Sequence, residues 1–373
     1  MANLKVNTVS GIGTEGTVFD GGLKFRSKNY LTLPKGTTTE RTATSSGIST
    51  ETGSIRYNTD SNKMECYIGD KWMIVSTSSP TLDGGARGIR AGGFPQSDRI
   101  EFFTISTAGN AIDFGNLTDG RWGSGSGSDR TRGVFGGGDS PNDVDTIDFI
   151  TFSSTGDATD FGNLSANRRY TAGGANNTRT LFCGGANSST KLNTIELVTT
   201  QSTGNATDFG DLTVARQSPS QSACSPTRTV IGGGDNPSTV NVIDFITTAS
   251  LGNAQDFGDK TAVGSYASGI TSNATRGLAT ATGYETNSDT IESLIIATRG
   301  NSVDFGTLSQ SRNSLSSTAS STRAVFSNGQ TTPASQTTMD YVAIATGGQA
   351  VDFGDSLDSI HAAVSISNDH GGL

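Results

Sequence analysis

The sequence contains few of the side chains that commonly carry acid–base, covalent or metal chemistry: its 373 residues include two histidines and three cysteines. Both histidines, His361 and His370, lie near the C-terminal end, so no order of Ser, His and Asp indicates a catalytic triad. The cysteines are odd in number and form no CxxC motif, which argues against a disulfide framework and a cysteine zinc site. These shortages predict a protein that is not an enzyme and uses no cofactor.

Long apolar segments and excess positive charge are missing as well. No run of 18 apolar residues is present and the opening MANLKVNTVSGIG has no apolar signal core, so we expect neither membrane insertion nor secretion. The net charge is −9, and an acidic chain gains nothing from neutralising phosphates, which disfavours a nucleic-acid partner. Synthesis in a reducing cytoplasm fits the unpaired cysteines.

Glycine is abundant, with 49 residues, and short apolar runs alternate with Gly, Asn and Ser throughout. Few stretches have apolar residues at helical spacing. This pattern predicts an all-β protein.

A repeat of 47 or 48 residues organises the chain after residue 84. It is marked by the triplet Asp-Phe-Gly. A protein kinase uses this triplet once, to hold magnesium, beside a glycine-rich loop, a strand lysine and a catalytic loop that are missing here. Six evenly spaced copies predict architecture. The aspartates of the six triplets are Asp113, Asp160, Asp208, Asp256, Asp304 and Asp352.

Other positions follow the same period. An arginine opens each unit, an apolar run ending in small residues follows it, and an acid lies in the next run. We expect these acids to pair with the opening arginines. We expect the aspartate of the triplet to cap a turn and its phenylalanine to pack as a wedge between units. The glycine pairs should let the inner strands converge. The opening arginines are Arg87, Arg132, Arg179, Arg228, Arg276 and Arg323, and the acids are Glu101, Asp148, Glu196, Asp244, Glu292 and Asp340.

Each unit contains about four strand-length segments, which predicts a six-bladed β-propeller over residues 84–373. The first unit lacks its first strand, and 361–367 matches that strand. We therefore expect 361–367 to pair with 87–92 and close the ring. The glycine pairs at strand ends resemble kelch repeats, so the propeller is identified as kelch-like. The unit lacks the Tyr and Trp of that pattern, and no kelch function is inferred.

The first eighty residues do not share the repeat. We expect an extended attachment arm at 1–36, a Thr/Ser linker at 37–52 and a three-stranded meander at 53–80. The pattern G-x-IRYNT…E-x-Y-x-G-x-W, with the preceding arm, resembles fibre-like virion structural proteins of marine and cyanobacterial tailed phages. The resemblance implies attachment to other virion proteins through this region, with the rest displayed. The attachment residues expected from it are Val9, Ile12, Phe19, Phe25, Tyr30, Tyr57 and Trp72.

The resemblance implies a virion protein assembled in the host cytoplasm, with a tail fibre or spike that contacts a host-surface glycan or protein as the expected role. A capsid decoration or assembly adaptor is the alternative, and a glycan-degrading spike is a third possibility. A homo-oligomer is expected, with a trimer favoured. Oxygens clustered in loop 136–146 leave calcium binding open. Aromatic residues that depart from the repeat are the candidate surface-binding residues: Trp122, Tyr170, Tyr266 and Tyr284.

Overall fold

The computed structural model of the protein describes residues 33–41, 52–61, 63–74, 86–217, 221–263, 269–280 and 287–373. The chain divides into two compact units, an N-terminal unit Met1–Ser79 and a C-terminal unit Pro80–Leu373. The described residues are all β apart from one 3-10 turn, Thr39–Arg41, and among them no helix is long and apolar enough to span a membrane. The expectation of an all-β protein is confirmed.

The N-terminal unit contains one four-stranded sheet in the order β1-β2-β3-β4. Strands β2 to β4 form the expected antiparallel meander, and β1 pairs with β2 in parallel. Residues 37–41, expected to belong to a linker, instead fold over this sheet, where Arg41 pairs with the buried Glu65. The strands are β1 (Lys35–Gly36), β2 (Ile55–Asn58), β3 (Lys63–Ile68) and β4 (Lys71–Ile74).

The described residues of the C-terminal unit form six main sheets in chain order, each built on four antiparallel strands. Sheet 1 contains β5 (Arg87–Ala91), β6 (Arg99–Thr104) and β7 (Ile112–Asn116). Sheet 2 contains β8 (Gly125–Ser128), β9 (Arg132–Gly136), β10 (Thr146–Thr151) and β11 (Thr159–Asn163). Sheet 3 contains β12 (Ala172–Ala175), β13 (Arg179–Cys183), β16 (Thr194–Thr199) and β17 (Thr207–Asp211), with the hairpin β14 (Ala186–Asn187) and β15 (Thr190–Lys191) beside it.

The second half repeats this plan. Sheet 4 contains β18 (Ser222–Cys224), β19 (Arg228–Gly232), β20 (Val242–Thr247) and β21 (Gln255–Asp259). Sheet 5 contains β22 (Ile270–Ser272), β23 (Arg276–Thr280), β24 (Ser288–Ile295) and β25 (Val303–Arg312), with β30 (Gly348–Gln349) along its edge. Sheet 6 contains β26 (Ser316–Ala319), β27 (Arg323–Ser327), β28 (Gln330–Thr331), β29 (Ala334–Ala343) and β31 (Val351–Ile360).

The first strand of sheet 1 comes from the far end of the chain. Strand β32 (Val364–Ser367) pairs antiparallel with β5, with Val364 opposite Ala91 and Ser367 opposite Gly88. The pairing expected between 361–367 and 87–92 is confirmed. Sheet 1 therefore has the order β32-β5-β6-β7 and joins the two ends of the C-terminal unit.

The triplet phenylalanine packs between consecutive sheets, as expected. Phe209 of β17 is 2% exposed and shares a core cluster with Ile231 and Ile246 of sheet 4. Full burial of such a side chain stabilises the fold by roughly 1.5–3 kcal/mol. Five of the six triplet phenylalanines are buried and Phe305 is half-buried, so each contributes to the core between neighbouring sheets.

The triplet glycine joins neighbouring sheets in a way that the sequence does not reveal. A Cβ at Gly210 would lie 2.5 Å from the carbonyl oxygen of Gly252 in the next unit. Close approach lets Gly252 N donate to Phe209 O at 2.9 Å and Ala254 N donate to Asp211 O at 2.8 Å. The GNA and DFG segments of the repeat are therefore the two sides of one inter-sheet ladder.

The triplet aspartates do not act as expected. All six are exposed, and no hydrogen bond or ion pair of their carboxylates is present among the described residues. The expected turn-capping role of the triplet aspartates is wrong. Each lies on the fourth strand of its sheet, opposite a repeat acid in the register, as Asp208 is opposite Glu196, and its carboxylate remains exposed to water.

The opening arginines also have other partners than the repeat acids. Each donates to a main-chain carbonyl of the next sheet, as Arg179 does to Thr248 O at 2.9 Å. All six acids are buried, and four of them pair with an arginine from the segment that connects two sheets, as Asp244 does with Arg216 at 3.1 Å. Glu101 instead pairs with Arg90 of β5, and Glu292 accepts hydrogen bonds from Thr261 and Ser302. The expected pairing fails because the acid lies inside the junction, within reach of that segment, whereas the opening arginine lies at the far end of its strand.

The glycine pairs likewise serve a different contact from the one expected. They follow the second strand of a sheet and not the innermost one. Gly184 and Gly185 have φ values of 63° and 103°, and a Cβ on Gly184 would lie 2.8 Å from Arg216 O. The pair therefore allows a left-handed turn and a close approach to the connecting segment.

Candidate ligand-binding face

At one position of the repeat the side chain differs from unit to unit, although the backbone makes the same contact in each described unit. The residue lies before the first strand of a sheet and forms an isolated β-bridge with the segment that follows the second strand. A position with recurring geometry and variable side chains is a better candidate for recognition than for packing. The described bridges are His361 with Phe94, Trp122 with Asp139, Arg169 with Ala186, Gln217 with Asp235, and Asn313 with Gln330.

Four aromatic rings lie in a row on this face. The ring centroids of Phe94 and Trp122 are 5.1 Å apart, those of Trp122 and Tyr170 are 5.2 Å apart, and those of Phe94 and His361 are 5.1 Å apart. Phe94 is 42% exposed and the other three are half-buried. We call these four residues the aromatic strip. Trp122 meets Phe94 and Tyr170 edge to face and His361 meets Phe94 at a tilt, contacts that favour fixed ring orientations.

Charged side chains border one end of the strip. The Arg169 guanidinium lies 5.2 Å from the centroid of the Tyr170 ring and pairs with Asp139 at 3.0 Å and Asp143 at 3.1 Å. Partial burial opposes its charge, but the two carboxylates and Tyr170 raise the pKa of Arg169 above its ordinary value. Next to this group, Lys191 pairs with Asp235 at 3.0 Å.

The acidic loop at 136–146 therefore has a cationic partner of its own. Asp139 and Asp143 both bind Arg169, so these carboxylates are occupied. In the part of the chain that the structure describes, no group of three or more His, Cys, Asp or Glu side chains could hold a metal ion. The loop positions an arginine beside an aromatic ring.

The backbone at Tyr170 follows the geometry of the repeat. Its φ is 54°, which is uncommon for a bulky residue, and its N–H donates to Gly123 O at 2.6 Å. Ser314 and Ala362 have φ values of 52° and 53° at the same place in sheets 6 and 1. The left-handed turn is therefore architectural, and the tyrosine ring is what distinguishes this unit.

His361 completes the strip as a neutral side chain. Its Nδ1 lies 2.9 Å from the Ser335 hydroxyl, and burial lowers its pKa below the ordinary value. A neutral imidazole beside Phe94 and Trp122 offers an apolar face with a polar edge.

Among the candidate residues, the structure brings Trp122 and Tyr170 together. Tyr266 and Tyr284 lie outside the described residues, as do Val9, Ile12, Phe19, Phe25 and Tyr30. Tyr57 and Trp72 lie on opposite faces of the N-terminal sheet. Sequence reasoning missed Phe94, Arg169 and His361. Comparing the residue before each first strand would have found Arg169 and His361, but the tertiary contact of Phe94 has no sequence signal.

A narrow polar cavity of about 40 Å³ lies among the first strands of all six sheets. Several of its hydroxyls, including those of Ser317, Thr318 and Ser365, have no hydrogen-bond partner among the described residues. A cavity needs about 10–15 Å³ per water molecule, so this one accommodates a few waters and no sugar. At the ends of these strands that lie away from the strip, His370 Nε2 hydrogen-bonds Ser128 O at 2.9 Å and Gly371 N donates to Ser272 O at 2.9 Å.

No protein-family model matches the chain, and comparison with curated proteins finds no significant match.

Proposed function

We propose that the C-terminal unit is a closed, six-bladed β-propeller. The contacts between consecutive sheets recur between the last and the first. Gly109 N donates to Phe353 O at 2.7 Å, the same bond that Gly252 N makes with Phe209 O. Arg323 likewise donates to Ser106 O of sheet 1 at 2.8 Å. A cavity lined by the first strand of every sheet also supports a ring.

We further propose that the protein is a tailed-phage virion component, a tail fibre or spike, anchored by its N-terminal part. This proposal rests on the resemblance of residues 1–80 to fibre-like virion proteins. The propeller is then the displayed part, and the inter-sheet ladder bonds the outer strand of one sheet to the next unit, as Gly252 N and Ala254 N do with Phe209 O and Asp211 O, which reduces the free edge of an exposed module.

The proposed activity is adhesion to a host-surface glycan, and the aromatic strip is the observation that carries it. Aromatic rings provide rigid, largely apolar surfaces on which the C–H faces of a pyranose can stack, and bordering polar groups can bind its hydroxyls. The strip has this composition. Aromatic and arginine anchors of this kind dominate binding energy at many interfaces.

The charges beside the strip favour a neutral glycan. Two cations, Arg169 and Lys191, face three carboxylates, those of Asp139, Asp143 and Asp235. Both cations are already paired, so an anionic sugar would meet a slight excess of negative charge. We therefore assign neutral hexose-containing polymers as the ligand class.

The test measures binding of the fluorescently labelled full-length chain to host cells and to immobilised neutral and acidic glycans. Trp122→Ala should weaken saturable binding by about 30-fold, as expected for loss of an anchor worth about 2 kcal/mol. Tyr170→Ala should weaken it as well. Ile112→Ala is the matched control, because Ile112 is 58% exposed but lies on an edge strand away from the strip.

Equal binding by the wild type and Trp122→Ala would refute the strip as the adhesive site. Binding to particles that lack this protein, without binding to cells or glycans, would favour the decoration or adaptor role. Release of reducing sugar from host polysaccharide would instead indicate a glycan-degrading spike.

A further inference from the structure

The meander sheet of the N-terminal unit has two faces of different character. Residues directly opposite in an antiparallel pair lie on the same face, so the registers define both faces. One contains Asn58 and Glu65, which are fully buried, with Arg41 paired to Glu65. On the same face Trp72 contacts Tyr67 with centroids 5.3 Å apart. This face is covered by residues 37–41 of its own chain.

The other face is mostly apolar and partly exposed. We call it the Cys66 face. Ile55, Cys66 and Met73 form a row across the three strands, since Ile55 is opposite Cys66 and Cys66 is opposite Met73. Ile55, Ile68 and Met73 are 46%, 58% and 51% exposed, and the other three members are half-buried. The apolar members of the face are Ile55, Tyr57, Met64, Cys66, Ile68 and Met73, and the exposed Lys71 lies opposite Ile68 at its margin.

Exposure of this kind on so small a sheet indicates an interface. A three-stranded meander of this length does not bury enough apolar area to be stable alone. Exposed contiguous apolar surface on a small unit marks a place where another molecule packs. The question is which molecule covers it.

Charge favours a second copy of this chain. Residues 1–79 contain nine basic and seven acidic residues, whereas residues 80–373 contain 17 basic and 28 acidic residues. Copies that met through the C-terminal unit would bring like charges together, whereas the N-terminal unit is nearly neutral. Lys71 lies opposite Ile68 at the margin of the Cys66 face, but the central row of Ile55, Cys66 and Met73 carries no charge, so this row can pack against the same row of a second copy.

We propose that the Cys66 face is the self-association surface of the protein. A face about three strands wide, with strands about 4.8 Å apart, is smaller than the roughly 800 Å² per partner of a stable complex. Association through it is therefore concentration-dependent unless other segments add to it. The proposal does not depend on the proposed adhesive function.

Cys66 makes this surface directly testable. It is half-buried at the centre of the row, whereas Cys183 and Cys224 are buried in the C-terminal unit. Across a symmetric contact the central residue of one copy comes close to the same residue of its partner. A short bis-maleimide added to the native full-length chain should therefore join two copies through Cys66. The product should be absent in Cys66→Ser.

Two adjacent substitutions provide the matched comparison. Met73 is 51% exposed on the Cys66 face, and Ile74 is 49% exposed on the opposite face of the same strand. Met73→Asp should abolish cross-linking and lower the association constant in sedimentation velocity at least tenfold. Ile74→Asp should leave both nearly unchanged. Sedimentation mass at high concentration also distinguishes a dimer from the trimer favoured by the sequence.

A chain that remains monomeric up to high concentration, with no cross-linked product, would overturn the proposal and assign the face to another protein. Equal loss of association in Met73→Asp and Ile74→Asp would overturn it too, because it would show that association does not distinguish the two faces. Circular dichroism of both variants shows whether the sheet is intact. If both variants lose sheet content, cross-linking of the wild type through Cys66 decides the question.

Discussion

The inter-sheet ladder predicts that two glycines with the same backbone conformation respond differently to the same mutation. Gly210 has φ 149° and Gly252 has φ 147°, so alanine strains the backbone at both, by roughly 1–3 kcal/mol. A Cβ at Gly210 would also lie 2.5 Å from Gly252 O, whereas a Cβ at Gly252 meets nothing within 4 Å. Gly210→Ala should therefore cost more than Gly252→Ala.

The extra cost follows from the geometry of the junction. Relieving the contact moves the Gly252 backbone away and weakens two hydrogen bonds, Gly252 N to Phe209 O and Ala254 N to Asp211 O. Net contributions of about 1 kcal/mol each give a difference of about 2 kcal/mol. Overpacking costs of 1–3 kcal/mol are of the same size.

The assay is urea unfolding, monitored by the fluorescence of Trp122. The variants are made in a Trp72→Phe background, so that the single remaining tryptophan reports on the C-terminal unit. The Tm of Gly210→Ala should also lie about 4 °C below that of Gly252→Ala. Equal losses would refute the reasoning, because the clash would then contribute nothing and the ladder would not constrain the junction.

Two further predictions concern buried charge. Asp244→Ala should lower the free energy of unfolding in urea by about 3–5 kcal/mol, because it leaves the buried Arg216 guanidinium unpaired. Asp208→Ala removes an exposed carboxylate and should change the free energy of unfolding by less than about 0.5 kcal/mol. A large effect of Asp208→Ala would show that the exposed carboxylate has a structural role. Burial lowers the pKa of Lys260 in the folded protein to about 8 from its ordinary value of 10.5. Between pH 8 and 10.5 the unfolded chain therefore binds more protons than the folded protein, and the free energy of unfolding should rise with pH by up to ~3 kcal/mol. Lys260→Met should flatten this rise, and an unchanged pH profile would contradict the assignment.

The repeat shows what sequence can predict when each unit carries the same signal. Six DFG triplets at nearly constant spacing were enough to predict about four strands per unit, the wedge role of Phe209 and the closing strand at 361–367. The phase of the repeat located the missing first strand. Strand pairing follows from phase because adjacent strands in an antiparallel sheet are also close in sequence.

Side-chain partners were predicted less well. The sequence shows that Asp244 and Arg228 recur in every unit, but it does not show that Asp244 binds Arg216 instead. Both pairings have a plausible spacing, and only the packing of the connecting segment inside the junction distinguishes them. The exposure of Asp208 was missed as well, since it lies opposite the buried Glu196 in the register and only the tertiary packing shows that the third strand is covered there and the fourth is not.

Sequence by itself determined the all-β class, the repeat length and the meander at the front, because these depend on local periodicity and turn residues. Tertiary structure alone decided which residues share a surface. Phe94 and His361 are 267 positions apart and form one aromatic contact because the last strand pairs with the first unit. The Cys66 face likewise became visible only when the register of three short strands was known. Local interactions specify elements, whereas sites arise where distant elements meet.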